Sequence, residues 1–276
     1  MLSTGVRPAA LLRRSGLLLF FAALSSPLLS QTAPVSNPGA AGQLQSDPAA
    51  IQAMQNVMAQ SGGTAAWTGM RSAEEAFSVL GTNETTPHVI LLLDDWSQET
   101  TRYRRKVQGQ SSPPSDHNGA PTYLATLGGR QVTVPEFDQA RVLVGQLPAA
   151  AAEVMLRRSE YVLKISIVQK CKESDICVDV YRTHGPALPP IPDQQWKISQ
   201  ATGLPSTVRY QETTIGQVPG PVWKEVYFLQ YAAEDGTVVP VSIGTNFRGQ
   251  RQTWTFVSLE KNPGFDISQF DSEVAR

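Results

Sequence analysis

Residues able to do chemistry are few in this chain, and none fall into a catalytic spacing. The three histidines, His88, His117 and His184, sit in an apolar run and in two loops, and none has a nucleophile at motif spacing. Glu74-Glu75 and Asp94-Asp95 are adjacent carboxylates. Neighbours on a strand point to opposite faces, so these pairs read as turn and edge residues rather than as an acid and its base. The chain has no G-x-S-x-G elbow, no H-E-x-x-H and no Walker loop. A Ser-His-Asp site is defined by geometry and not by order, so a hydrolase stays open as the third functional reading.

Cys171 and Cys177 flank the short polar segment Lys172-Glu173-Ser174-Asp175-Ile176 between two strand-like runs, Tyr161 to Gln169 and Val178 to Arg182. No histidine or second cysteine pair stands at metal-ligand spacing, and a redox site is better served by C-x-x-C. The favoured reading is a structural disulfide across a hairpin, which stabilises by about 2 kcal/mol for so small a loop. No metal and no cofactor is expected.

An oxidising compartment suits that bridge, and the N-terminus supplies a route to one. Arg7, Arg13 and Arg14 precede the apolar run Gly16 to Leu24, and small residues follow. This is the layout of a cleaved export signal over residues 1–30, with cleavage after Ser25, Ser30 or Ala33. The run is short for a membrane span of ~20 residues, although an uncleaved anchor is the alternative. Arg13-Arg14 also matches a twin-arginine signal. The expected location is periplasmic or secreted. With 23 Lys+Arg against 24 Asp+Glu, nothing suggests nucleic acid as a partner.

The elements that position these residues follow from local signals. Residues 31–47 are small, with Pro and Gly, and read as a flexible tether. Asp47-Pro48 starts a helix, Asp47 as N-cap and Pro48 at the first position, with Ile51, Met54, Val57 and Met58 on one stripe and Ser61-Gly62-Gly63 at its end. Arg71 to Leu80 alternates, with Ala73, Phe77 and Val79 inward, and His88 to Trp96 is a continuous apolar run fit for a strand buried on both faces. Thr100 to Val107 carries Arg102, Arg104 and Arg105, read either as a solvated strand face or as the source of a latch onto a helix. Residues 109–120 form a polar loop, residues 121–134 a hairpin turning at Gly128-Gly129, and residues 148–158 a second helix bearing Val154 and Met155. His184 to Asp193 is a Pro-rich crossing loop. Gln194 to Glu260 is a β-meander, with Asp235-Gly236 as a tight hairpin turn and Thr202-Gly203 as a looser one. The expected folded domain runs over residues 48–276.

The meander is apolar on both parities. Along Trp223 to Tyr231 one series is Trp223, Tyr227, Leu229 and Tyr231, and the other is Val226 and Phe228. A sheet wet on one face alternates cleanly. Both faces are therefore covered, by loops and helices or around an apolar cavity.

The order helix, strands, helix, strands, with Gln195-Trp196-Lys197-Ile198 leading through Ala201-Thr202-Gly203-Leu204-Pro205 into a strand, resembles the outer-membrane lipoprotein carrier and sorting superfamily. Asp235-Gly236 with Val239-Pro240, and Gln252-Thr253-Trp254-Thr255-Phe256, carry the same resemblance. It implies an α+β fold: a strongly curved antiparallel sheet forming an unclosed half-barrel, its concave face covered by helices. It also implies a periplasmic, non-catalytic protein that binds the acyl chains of lipoproteins or senses them. One arginine of the trio at 102, 104 and 105 would then latch the lid.

The leading expectation is a monomeric carrier of an acyl chain or lipoprotein, with outer-membrane or envelope proteins as further partners. Its cavity would be lined by Met54, Met58, Met155, Trp196, Ile198, Tyr210, Tyr227, Leu229, Trp254 and Phe256. Burial at ~0.8 kcal/mol per CH₂ makes a long chain a sufficient ligand without charged contacts. The second expectation is a sensor of the same fold whose cavity is filled by its own side chains and which acts through a protein partner.

Overall fold

The computed structural model describes residues 44–96, 102–107, 115–117, 123–127, 130–134, 139–167, 171–183, 190–212, 222–247 and 249–266, all within one compact unit. The segment expected to be an export signal and most of the expected tether lie outside them, as do residues 184–189 of the expected crossing loop and the side chains of Arg102, Arg104, Arg105 and His117.

The chain opens with helices α1 (Pro48–Gln60) and α2 (Thr64–Gly69), then strands β1 (Ser72–Gly81), β2 (His88–Asp95), β3 (Arg102–Val107) and β4 (Ser115–His117). A separate hairpin, β5 (Tyr123–Leu127) with β6 (Arg130–Val134), precedes α3 (Gln139–Val144) and α4 (Pro148–Arg157). The meander follows: β7 (Tyr161–Ile165), β8 (Asp175–Arg182), β9 (Ile191–Ser199), β10 (Pro205–Glu212), β11 (Val222–Glu234), β12 (Thr237–Phe247) and β13 (Gln250–Lys261).

Eleven strands form one antiparallel sheet in the order β4-β3-β2-β1-β13-β12-β11-β10-β9-β8-β7. Every neighbour is consecutive in sequence except β13 and β1, where the last strand returns beside the first. β4 and β7 stand at the two ends, so the curved sheet is not closed. This is the α+β half-barrel with a helical lid that the sequence predicts.

Local chemistry explains the joints. Asp235 and Gly236 adopt positive φ (42° and 74°), the pairing that a tight hairpin turn requires. Pro48 occupies the first turn of α1, but Asp47 does not cap it with its side chain. The Asp47 carboxylate instead accepts from Lys164 Nζ at 2.8 Å and from the Ile165 N–H at 3.0 Å. Ser46 Oγ accepts from the Leu163 N–H, and the Asp47 N–H donates to Leu163 O. The last two residues assigned to the tether are thus fastened along edge strand β7, whose polar backbone would otherwise be open.

Two differences from the sequence reading are physical. Helices α2 and α3, each of six residues, are absent from it because so short a segment has no apolar period to detect. Cys171 and Cys177 are bonded, with Cα atoms 5.9 Å apart, but not across the two strands of a hairpin. Cys177 lies in β8, paired with Lys197, and Cys171 lies in the connection before it. The bridge ties that connection back onto β8.

Candidate functional site

The space between the helices and the inner sheet face is one continuous apolar cluster. From α1 come Ala50, Met54, Val57 and Met58, and from α4 come Val154 and Met155. From the sheet come Phe77, Val79, Ile90, Leu92, Trp196, Ile198, Val208, Phe228, Ile243 and Trp254. Strand register carries the floor across the sheet: Val79 pairs with Trp254, Trp254 with Ile243, and Ile243 with Phe228. Phe77 meets Trp254 and Phe256 edge to face, with centroids 5.7 and 6.0 Å apart.

Eight of the ten expected lining residues lie there. Met54, Met58, Met155, Trp196, Ile198, Tyr210 and Trp254 are all buried, and Phe256 packs against them while partly exposed. Tyr227 and Leu229 do not join them. On β11 the inward series is Val226 and Phe228, and the opposite face carries Trp223, Glu225 and Tyr227. Tyr227 donates its hydroxyl proton to Glu225, and Leu229 is 64% exposed. Register shifts on either side of Gln230 then turn Tyr231 inward, so one parity rule cannot describe the whole strand.

The lid is held by a charged contact that the sequence reading did not identify. Arg141 of α3 donates from Nε to Asp193 Oδ1 of β9 at 2.9 Å, and its terminal nitrogen closes on the same oxygen. Asp193 is 1% exposed; its other oxygen accepts from Gln194 Nε2 at 3.2 Å, and Gln194 Oε1 accepts from Trp196 Nε1 at 2.9 Å. A charge on a lid helix is therefore wired to a buried tryptophan of the floor.

Two carboxyls break the apolar character of the floor. Glu75 of β1 pairs with Leu92 of β2, and Asp94 pairs with Ala73, so Glu75 and Asp94 are diagonal neighbours on the inner face. They are 1% and 0% exposed, and among the described residues no oxygen of either has a hydrogen-bond partner. Burial pushes the Asp94 carboxyl up to about 8. Burial, and then the neighbouring Asp94, pushes Glu75 well above the usual carboxylate range. Trp96, two residues beyond Asp94, is 1% exposed and its Nε1–H is likewise unpartnered. These residues are neither turn nor edge groups. The signal was available: Glu75 falls between Ala73 and Phe77 in the inward series.

A second concavity, a groove of ≈ 490 Å³, lies on the helical side between α1, α2 and α4, and includes Gln52, Asn56, Thr64, Glu153 and Arg157. Among the described residues no cluster of His, Cys, Asp and Glu could hold a metal ion, and no helix is long and apolar enough to cross a membrane.

No family model and no curated protein matches the chain. Solved structures do resemble it. A domain described as an outer membrane lipoprotein-sorting protein, from Vibrio parahaemolyticus, is 10% identical, with 81% of this chain and 96% of that one covered at a TM-score of 0.45. A LolA-superfamily protein from Nitrosomonas europaea is 8% identical over 81% and 97%, also at 0.45. A DUF1329 family protein from Desulfovibrio piger is 10% identical over 80% and 97%, at 0.43. At this level the likeness is one of gross strand arrangement.

Proposed function

We propose that this is an exported, periplasmic, non-catalytic carrier that shelters an acyl chain or the acylated end of a lipoprotein between its helices and its sheet. The observation that supports this is the single apolar interior shared by lid and floor, with three methionines, Met54, Met58 and Met155, on the lid side. Methionine is unbranched and adapts its shape, which suits a surface that must pack against itself when empty and against a chain when loaded. The Arg141–Asp193 contact is the one charged fastening between α3 and β9 given above, and it would part when the lid lifts. A buried chain of about twelve carbons contributes roughly 10 kcal/mol of transfer free energy, enough to offset the lifting of a short helix.

A second reading is favoured by a specific observation. Trp67, Trp96, Trp196, Phe77, Met54 and Leu92 are each under 2% exposed, so the interior is filled by the protein's own side chains. That packing suits a sensor that acts through a protein partner at its surface. Native mass spectrometry of gently purified protein, with and without fatty-acyl probes, separates the two. A carrier appears with a chain of defined mass or takes one up; a protein that arrives bare and ignores every probe is not a carrier.

A further inference from the structure

Resting on the carrier reading, we infer that Glu75 and Asp94 form the head-group end of the binding space and select an apolar chain terminating in an amine. Three observations meet at this place. The strand register sets both carboxyls on the lidded face of the sheet, two positions out of line with each other. Diagonal partners of this kind have Cα atoms about 7–8 Å apart and Cβ atoms closer, so their carboxyl oxygens can converge on one ammonium group. Each side chain is at least nine-tenths buried, and none of the four oxygens has a partner among the described residues.

The third observation is Trp96. Its indole N–H, just past the end of β2 and two positions beyond Asp94, is a buried donor with no acceptor among the described residues. Two acceptor groups and one donor left unmade on an otherwise apolar floor are costly, because buried polar groups are ordinarily paired. A primary amine supplies three donors to the carboxyls, and an oxygen beside it, as in an amino alcohol or aminoacyl group, supplies the acceptor for Trp96. Flanking residues Ala73, Phe77 and Leu92 are apolar and buried, so the chain of such a ligand continues onto the floor already described. A carboxylate or phosphate head brings no N–H donor for these oxygens and carries its own charge onto an apolar floor, so it binds least.

By position β3 offers two competing donors: it pairs Arg105 with Leu92 and Tyr103 with Asp94. The test must separate both from a ligand.

Binding of dodecylamine, dodecanol and dodecanoate to the full purified chain is measured by calorimetry at neutral pH. The account expects dodecylamine to bind about tenfold more tightly than dodecanol, the worth of one charge-assisted hydrogen bond, with dodecanoate weakest. Glu75→Gln with Asp94→Asn, checked for folding by circular dichroism, is expected to bring amine and alcohol to equal affinity. Equal binding of amine and alcohol by the unaltered chain overturns this inference and leaves the carrier reading standing. A preference that survives the double substitution overturns the assignment to these residues. An amine preference that emerges only in Arg105→Gln or in Tyr103→Phe overturns it as well, and makes that β3 residue the partner of the pair. Failure of all three chains to bind removes the carrier reading together with this inference.

Discussion

Arg141 and Asp193 join a lid helix to the sheet through a contact in which Asp193 is almost wholly buried and Arg141 is 16% exposed. Removing the cation leaves a desolvated carboxylate, and the loss of one partner of such a pair costs about 3 kcal/mol. Arg141→Met is expected to lose roughly that much stability in a denaturant titration. It is also expected to speed amide exchange in α3 and α4 more than in the distant strands β1 and β13. Uniform protection loss across the sheet would contradict a lid role for the contact.

The carboxyl pair makes stability depend on pH in an unusual direction. In the folded chain burial raises Asp94 from 3.8 to about 8 and Glu75 well above 4.5. Between those values the folded state holds more protons than the unfolded one, so stability is greatest on the acid side and falls as pH rises toward about 8. The slope is at most about 1.4 kcal/mol per pH unit for each group. Denaturation midpoints measured from about pH 5 to pH 8 should decline, and Glu75→Gln with Asp94→Asn should flatten the profile and raise stability at the alkaline end. A profile unchanged by the double substitution would contradict the burial of the pair.

Two glycines distinguish close approach from mere turn geometry. Gly62 has φ of 112°, and a Cβ there would lie 2.5 Å from Gly236 O and 2.7 Å from Thr237 Cα. Gly236 has φ of 74° with nothing within 4 Å of such a Cβ. Gly236→Ala should cost about 1 kcal/mol from strain alone. Gly62→Ala should cost several times more, because it also pushes the end of α1 off the β11–β12 turn. Thermal or chemical denaturation of the two variants settles the ranking, and equal losses would argue against that seating.

The disulfide is a modest staple. Reduction of Cys171–Cys177, separated by six positions, should lower stability by about 2 kcal/mol without unfolding the sheet. Far-ultraviolet circular dichroism before and after reductant checks this.

Much of the fold was legible because it is locally encoded. Asp235-Gly236 can make few other turns, Pro48 can begin a helix but not continue one, and Ala73, Phe77 and Val79 announce one inward face. The losses came where a non-local pairing decides. Leu229 faces outward with Tyr227, whereas Tyr231 of the same parity turns inward because β11 shifts register around Gln230, and no property of these side chains themselves records that. Glu75 and Asp94 were each set against an adjacent acid, when the partner that matters lies across the strand pair. Arg141 carries no local signal of its contact, because its partner Asp193 is 52 residues away.

The central claim is that an apolar chain enters between lid and floor, and tryptophan quenching by a brominated acyl chain tests it most directly. Trp196 lies in the floor at 0% exposure, whereas Trp223 lies on the outer face beneath Arg209, whose guanidinium carbon is 5.2 Å from the ring centroid. In variants retaining only one of the two, with the remaining tryptophans changed to phenylalanine, a brominated dodecanol is expected to quench Trp196 strongly and to spare Trp223. Quenching of Trp223 alone, or of neither, would contradict the account.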